Sequence, residues 1–200
     1  MKKRIAEFLK SILAGLAISI GGMVYLACEN KAVGAVLFSA GLITVVSFGL
    51  NLYTGRIGYV PENGGVFFAD TVLSIPGNLV GCLIAGLLKS PIGAVETLCE
   101  AKLAKPLGGV LIDACLCGLL IYICVDIFKK RKTYLGILIC IPTFILAGFE
   151  HSVADMFYLI NARVFHWQAV VFVLVVVAGN AIGGLLIPLC LRLYDRLSAS

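Results

Sequence analysis

The chain has 200 residues, of which 60% are apolar and only 14% are charged, and its formal net charge is +5. An ordinary soluble domain is about 45–50% apolar and about 25% charged, and its interior is too small to hide this much hydrocarbon. The composition therefore excludes a disordered chain, a secreted disulfide scaffold and a nucleic-acid-binding protein, and it predicts an integral membrane protein.

Six apolar segments along the chain are long enough to cross a bilayer, which takes roughly 20 residues per helix. In chain order they span about residues 5–28, 32–52, 72–88, 107–128, 134–159 and 169–193. The loops between them are short, which predicts a single membrane domain over residues 1–200. We therefore expect this all-α chain to perform its function within the lipid bilayer.

Lysine and arginine are distributed unequally between the two ends of these segments. If the segments alternate in direction, one side of the membrane receives eleven of the sixteen basic residues and the other receives five. The cytoplasmic side is the one with the excess. This predicts a multi-pass protein of the cell membrane with both termini in the cytoplasm. The basic run at residues 129–132 then anchors the topology at the lipid surface and is not a nucleic-acid patch.

The eight cysteines lie mostly inside the apolar segments, and no C-x-x-C pair occurs among them. Metal sites and redox motifs usually require such closely spaced pairs. We therefore expect free thiols that pack as small apolar side chains, and no cofactor.

The second and fifth segments differ from the other four because glycines and polar residues interrupt them. The second runs from Phe38 to a polar stretch at residues 51–54, and the fifth runs from Phe144 to one at residues 150–155. Unwound backbone survives at membrane depth only where protein buries it or where it lines a wet cavity. Broken helices also expose helix N-termini, which favour anions. The pattern is typical of transporters and channels, although the same residues also serve ordinary helix packing.

A Gly-Asn step recurs in the third and sixth segments, as Gly77-Asn-Leu-Val-Gly81 and as Gly179-Asn-Ala-Ile-Gly183. Small residues four apart let two membrane helices approach closely. Together with the two interrupted segments, the step predicts two repeats of three helices, over about residues 5–88 and 107–193. Because three is an odd number, the second repeat is inverted relative to the first.

These segments resemble the signature sequences of the formate/nitrite transporter family. The block Gly148-Phe-Glu-His-Ser-Val-Ala-Asp-Met-Phe157 is similar to the signature of the family's fifth helix. Phe38-Ser-x-Gly-Leu and the later Asn51-Leu-Tyr-Thr54 are similar to that of the second. The resemblance implies an aquaporin-like protomer of six transmembrane helices with helices 2 and 5 broken, assembled as a homopentamer with one anion pore through each protomer.

The resemblance also assigns pore roles by position. His151 and Thr54 would face each other in the middle of the pore, one in each break, and Lys102 would lie at the outer vestibule. Two apolar constrictions would flank this centre, the first toward the cytoplasm and the second toward the outside: Leu42 with Leu52, and Phe38 with Phe144.

The chain departs from the family pattern at two positions. Gly118 stands where the family usually has asparagine, so we expect a wider outer constriction. Asp155 also stands where the family usually has asparagine, which adds an acid near the pore. Both departures bear on selectivity rather than on the fold.

Considered without the resemblance, these polar side chains have alternative explanations. An ionisable group such as His151 is costly inside a membrane unless it is used or paired, so it either serves function or pairs with a buried acid. Thr54 offers a hydroxyl that both donates and accepts. Lys102 either collects anions or only snorkels to the surface. Glu150 either contacts the ion or joins helices, and Asp155, one turn past His151, either tunes it or contacts a neighbouring protomer.

The function predicted from these features is a channel for small monovalent anions of weak acids, with formate and nitrite first and hydrosulfide as a further small anion, and not an enzyme. The unperturbed pKa of histidine, about 6.5, permits proton exchange near neutral pH, so His151 would link transport to protons. One alternative is a membrane subunit of a redox complex with His151 and the cysteines as ligands. Another is a neutral-solute pore, although paired Asn-Pro-Ala steps are absent from the sequence.

Overall fold

The structure, a computed structural model, describes residues 2–199, and the regular elements in that range are helices. In chain order they are α1 (Lys2–Ala27), α2 (Lys31–Ser47), α3 (Tyr53–Arg56), α4 (Val60–Leu88), α5 (Val95–Leu103), α6 (Leu107–Arg131), α7 (Leu135–Leu146), α8 (Ser152–Asn161) and α9 (Trp167–Ser198). A 3₁₀ turn, Ile57–Tyr59, joins α3 to α4.

Within residues 2–199, four helical stretches are long and apolar enough to cross a membrane: α1, Tyr53–Leu88, α6 and α9. The apolar helices α2 and α7 have 17 and 12 residues, too few to cross alone. Each is followed by a short non-helical stretch, residues 48–52 or 147–151, and then by α3 or α8. The second and fifth segments are therefore broken helices, as the sequence predicts.

The third segment begins earlier than its apolar run indicates. Helix α4 starts at Val60, and Gly64 (φ 76°, ψ −169°) bends the chain inside it, a conformation that glycine adopts without a steric cost. The predicted span, about residues 72–88, lies inside this helix. The apolar run begins later than the helix because polar residues such as Asp70 interrupt the run without ending the helix. A membrane helix can continue past the hydrocarbon, where its polar side chains meet water.

Close crossings hold α1 against α4 and α6 against α9. Gly15 of α1 lies on the backbone carbonyl of Asn78, and Gly118 of α6 lies in the same way on that of Asn180. A Cβ atom at either glycine would collide with the facing backbone. The expectation that Gly118 widens the outer constriction was wrong, because this position is filled by the backbone of α9.

Asn78 of α4 holds the first break in place. Its Nδ2 donates to the carbonyl oxygens of Ser11 (2.8 Å) and Asn51 (2.9 Å). Its Oδ1 accepts from the backbone N–H of Tyr53 at 3.0 Å. Since Asn78 is fully buried, this amide satisfies backbone groups that the broken helix leaves without partners.

Asn180 of α9 makes the corresponding contacts at the second break. Its Nδ2 donates to the carbonyl oxygens of Ala114 and Glu150, both at 2.9 Å. Its Oδ1 accepts from the backbone N–H of Ser152 at 2.9 Å. The two Gly-Asn steps thus occupy equivalent places in two halves of the chain, and the inversion of one half relative to the other stays a prediction.

The outer faces of the long helices carry large exposed apolar side chains. Examples are Leu9 and Leu13 on α1 and Leu186 and Leu189 on α9, each about half exposed. A water-soluble protein rarely exposes apolar side chains along entire helix faces. These faces suit lipid, which leaves the polar interior of the protein as the place for chemistry.

Candidate pore at the two helix breaks

The two breaks meet at the centre of the protein. Thr54 Oγ1, one residue into α3, lies 2.9 Å from His151 Nε2, which immediately precedes α8. Both side chains are buried, with 1% and 2% of their surface exposed. The structure therefore brings together the pair expected to face each other mid-pore, while their part in transport stays a prediction.

The surroundings of His151 fix which ring nitrogen carries the proton. Nδ1 accepts a hydrogen bond from the backbone N–H of Ala154 at 3.1 Å and so caps the first turn of α8. A neutral imidazole that accepts at Nδ1 carries its hydrogen on Nε2. Nε2–H therefore donates to Thr54 Oγ1, and the Thr54 hydroxyl keeps its own hydrogen for another acceptor.

Both nitrogens of His151 are engaged by protein groups, which bears on the redox alternative. The other histidine, His166, lies at the start of α9, outside this centre. Over the described part of the chain, no three histidine, cysteine, aspartate or glutamate side chains form a group that could hold a metal ion. Within residues 2–199, the structure therefore does not bring His151 and the cysteines together as a metal-binding group.

Two phenylalanines close one side of the Thr54–His151 pair. The Phe144 ring stacks on the His151 ring with centroids 5.7 Å apart and an interplanar angle of 22°. The Phe38 ring meets Phe144 edge-on at 6.1 Å. Because both phenylalanines are buried, the way past His151 on this side is narrow and apolar.

A cavity approaches the pair from each side. The first, which we call the Lys102 cavity, has a volume of about 140 Å³, and its lining includes Lys102, Phe144, His151, Asp155 and Tyr158. The second, the Arg56 cavity, has about 250 Å³, and its lining includes Leu42, Leu52, Arg56, Phe67 and Lys129. Leu42 and Leu52 therefore share a cavity with Lys129 of the basic run, and Phe144 lines the other cavity, while their roles as constrictions stay a prediction.

Lys102 is turned inward and paired. Its ammonium lies 2.9 Å from Asp155 Oδ1 and also contacts Glu150 Oε2, and only 12% of its side chain is exposed. Lys105 donates to Glu150 Oε1 and to Asp113 Oδ2, both at 2.8 Å. Glu150, with no exposed surface, is thus held by two lysines. Lys102 does not snorkel to the surface, and its charge is shared with two buried carboxylates.

Asp155 has no side-chain contact with His151. Its carboxylate faces Lys102, whereas its backbone N–H bonds to the His151 carbonyl as an ordinary helical bond at 2.9 Å. The carboxylate is therefore paired with Lys102 in the cavity that His151 also lines, and whether Asp155 tunes His151 or contacts a neighbouring protomer stays open.

Helix N-termini supply fewer free donors to this centre than the broken helices predict. The N–H groups of Tyr53 and Ser152 bond to Asn78 and Asn180, and that of Ala154 bonds to His151. An anion at the centre therefore meets the positive ends of the helix dipoles, whereas these N–H groups are already occupied.

Sequence reasoning missed a basic group at the first break, where Arg56 counted only toward topology. Its Nη1 donates to Asn51 Oδ1 and lies 3.7 Å from Glu7 Oε2. Its Nε donates to Thr71 Oγ1 at 3.4 Å, and its guanidinium carbon lies 4.5 Å from the centroid of the Phe67 ring. The available signal was position in the sequence, because Arg56 follows Thr54 by only two residues within α3.

Comparison with known protein families gives a match over nearly the whole chain. The family model described as Formate/nitrite transporter matches residues 2–194. An uncharacterized transporter of Bacillus subtilis strain 168, YrhG, is 31% identical over 78% of this chain and 68% of its own length. A second from the same organism, YwcJ, is 25% identical over 76% and 72%. A formate-nitrite transporter of Entamoeba histolytica is 27% identical over 76% and 51%.

Solved structures show the same fold. An FNT family ion channel superposes with a TM-score of 0.82 at 23% identity, covering 96% of this chain and 90% of that one. A pentameric formate channel with formate bound gives a TM-score of 0.79 at 19% identity, with 98% of each chain covered. At these identities the likeness establishes that this chain shares the all-helical fold of those two structures.

Proposed function

This chain belongs to the formate/nitrite transporter family, and from that membership we propose that it is a membrane channel for small monovalent anions of weak acids, formate and nitrite first. It is a transport protein rather than an enzyme. The contact between Thr54 and His151 carries the proposal, because it joins the two breaks at the point where two cavities approach from opposite sides. Each protomer then has its own pore.

The apolar groups around the pair determine what can pass. A bare anion that enters a dry stretch loses its hydration, and an isolated charge in a low dielectric costs far more than thermal energy. The anion of a weak acid has another route, because a low dielectric raises the pKa of the acid and favours the neutral form. Formic and nitrous acids can therefore cross between Phe144 and Leu52 as neutral molecules, whereas the anion of a strong acid cannot.

Thr54 and His151 supply the polar contacts in this apolar passage. The Thr54 hydroxyl hydrogen can be donated to an oxygen of the passing anion, and His151 Nε2–H can turn from Thr54 to a second oxygen. Proton-linked transport follows if the anion takes up a proton while it is held there. A histidine that gains and loses a proton near neutral pH is suited to that step.

The assembly and orientation belong to the same proposal. A related channel is a pentamer, and an apolar groove of about 340 Å³ on α4, α8 and α9 is available to a neighbouring protomer. From the basic run 129–132 and the excess of basic residues on cytoplasmic loops, we infer that the Arg56 cavity and both termini face the cytoplasm across the cell membrane. Crosslinking of the detergent-solubilised protein should give five subunits, and a monomer with full transport activity would contradict the homopentamer.

Flux into proteoliposomes tests the function directly. Purified protein is reconstituted, and uptake of formate, nitrite, hydrosulfide, chloride and glycerol is measured between about pH 5 and pH 8. We expect the anions of weak acids to exceed both chloride and glycerol, with uptake increasing as the pH falls. Glycerol flux above formate flux would identify a neutral-solute pore. A haem or iron–sulfur absorbance band in inactive protein would favour the redox subunit.

A further inference from the structure

The first turn of α1 and the early part of α4 border an open groove. The two helices run in the same direction, because Gly77 lies against Ser11 and Gly81 lies against Gly15, one turn further along both helices. The larger part of the groove is a cavity of about 740 Å³, and its lining consists of Lys3, Arg4, Ile5, Phe8 and Leu73. This part therefore combines an apolar surface with two basic side chains.

A second cavity, of about 290 Å³, adjoins the first at Lys3 and Arg4. Its remaining lining residues are Glu7, Gly65, Val66, Ala69 and Asp70. The Glu7 carboxylate already has partners, because it accepts a hydrogen bond at 2.8 Å at the first break and lies 3.7 Å from Arg56 Nη1. Over residues 2–199, Lys3, Arg4 and Asp70 form no ion pair. We call the two cavities together the α1–α4 groove, which thus has two positive charges and one negative charge without an ionic partner in the described chain.

The groove lies at the level where a membrane helix passes from the hydrocarbon into the headgroup region. Helix α1 has 26 residues and is therefore about 39 Å long, whereas the hydrocarbon core of a bilayer is about 30 Å thick. Leu9 and Leu13, which follow on α1, are 55% and 50% exposed and suit lipid chains. Basic side chains near the end of such a helix hold their charges at headgroup level and lay their carbon chains along apolar surface. The basic part of the groove can thus meet a phosphate while its apolar part meets an acyl chain.

We propose that the α1–α4 groove binds one anionic phospholipid, whose phosphate lies between Lys3 and Arg4 and whose acyl chain packs on the apolar side chains of the groove. The two positive charges and the one negative charge without a partner add up to +1, which is opposite to the single net negative charge of such a lipid. Arginine donates to two phosphate oxygens at once, and lysine adds a point charge. A zwitterionic lipid would leave the excess positive charge without a partner. The proposal does not depend on which solute the pore conducts.

The test measures lipid binding to full-length protein in detergent by native mass spectrometry. Delipidated protein is titrated with phosphatidylglycerol or with phosphatidylcholine, and the dissociation constant of the first lipid bound per protomer is determined. We expect Lys3→Gln/Arg4→Gln to raise this constant for phosphatidylglycerol about twentyfold to thirtyfold, since each basic residue at the lipid surface contributes about fivefold. Phosphatidylcholine should bind more weakly to wild type and respond little to the double variant.

Two further variants separate the groove from the overall charge. Arg131→Gln/Arg196→Gln removes the same charge from two exposed arginines that do not line the groove, and it should leave the dissociation constant within about twofold of wild type. Asp70→Asn removes the unpaired acid of the groove and should tighten the binding of phosphatidylglycerol about twofold to fivefold. Because Lys3 and Arg4 are exposed, their substitution should leave the thermal unfolding midpoint of lipid-free protein unchanged.

Three outcomes would overturn the proposal. If the two double variants bind phosphatidylglycerol alike, the groove is not the lipid site. If phosphatidylcholine binds wild type as tightly as phosphatidylglycerol does, the charge of the groove does not select the lipid. If Lys3→Gln/Arg4→Gln separates the subunits in the absence of lipid, the groove is occupied by a second copy of the chain.

Discussion

The two helix breaks share a backbone arrangement and differ in the side chains that it carries. Leu52 and His151 occupy equivalent places, each in extended conformation (φ −89°, ψ 124° and φ −114°, ψ 112°) directly before a helix. An asparagine from a neighbouring long helix holds each break. The residue before the helix carries an apolar leucine side chain at the first break and an imidazole at the second.

The polar side chains that pair beside the two breaks also differ. At the first break, the amide of Asn51 bonds to Arg56, which comes from the following helical turn. At the second, the carboxylate of Glu150 is held by Lys102 and Lys105, which come from α5 and the loop after it. The two halves therefore share a scaffold and differ in their charged groups. Arg56 pairs with Glu7 beside the first break, whereas two lysines pair with buried Glu150 beside the second.

The largest effect should come from unbalancing the second break. Lys102→Gln leaves Asp155 buried without a counter-ion, and removal of one partner of a buried pair typically costs about 3–5 kcal/mol. The double variant Lys102→Gln/Asp155→Asn should recover much of this loss, because Lys105 still neutralises Glu150. Thermal unfolding of the purified protein measures both. As a control, Lys130→Gln, which breaks an exposed pair, should cost about 1 kcal/mol or less. If the single and double variants lost the same free energy of unfolding, Asp155 would not need Lys102 as its counter-ion.

The shared scaffold can be tested by removing each asparagine. Asn78→Ala and Asn180→Ala each delete three buried hydrogen bonds, so we expect comparable losses of about 2–4 kcal/mol. Asn63→Ala, which removes one bond at an exposed position, serves as the control and should cost much less. A large loss for one buried asparagine and none for the other would show that the two breaks do not depend on the same support.

The chemical difference between the breaks predicts the consequence of His151→Asn. Asparagine can still cap α8, so folding and assembly should persist. The variant should lose most of the pH dependence of formate flux, with uptake at pH 5 lowered roughly tenfold, which corresponds to about 1.4 kcal/mol. Thr54→Ser, which keeps the hydroxyl, should retain the wild-type profile. A His151→Asn variant that matches wild type at every pH would make His151 structural.

The smallest effect concerns the charge of the Lys102 cavity. Asp155→Asn keeps the shape of the side chain and leaves Lys102 with one carboxylate fewer. We expect the half-saturation concentration for formate from this side to fall about twofold to threefold at low ionic strength, with less change at 0.15 M salt because the charge is screened. No change at any salt concentration would mean that Asp155 does not weaken the attraction of Lys102 for anions.

Hydropathy and resemblance predict much of this structure. Hydropathy gives the six apolar segments and the two breaks, because polar interruptions inside apolar runs are visible in a sequence. The meeting of Thr54 with His151 follows from the family resemblance alone. Neither gives the inward turn of Lys102, since the path of the short helix α5 depends on tertiary contacts with Glu150 and Asp155. The position of Arg56 beside the first break could not be predicted for the same reason, because its partner Thr71 lies 15 residues away, across the bend at Gly64.

The cap that His151 places on α8 limits how this imidazole can handle protons. In a positively charged ring, both nitrogens are donors, so Nδ1 would have to release the N–H of Ala154 that it accepts. A charged ring and the side-chain cap on α8 are therefore mutually exclusive. Delivery of a proton by His151 to a bound anion then requires the Ala154 N–H to be released in each cycle, while the backbone bond from the Asp155 N–H to the His151 carbonyl holds the first turn of α8, so that each proton transfer is coupled to the loss of one cap bond.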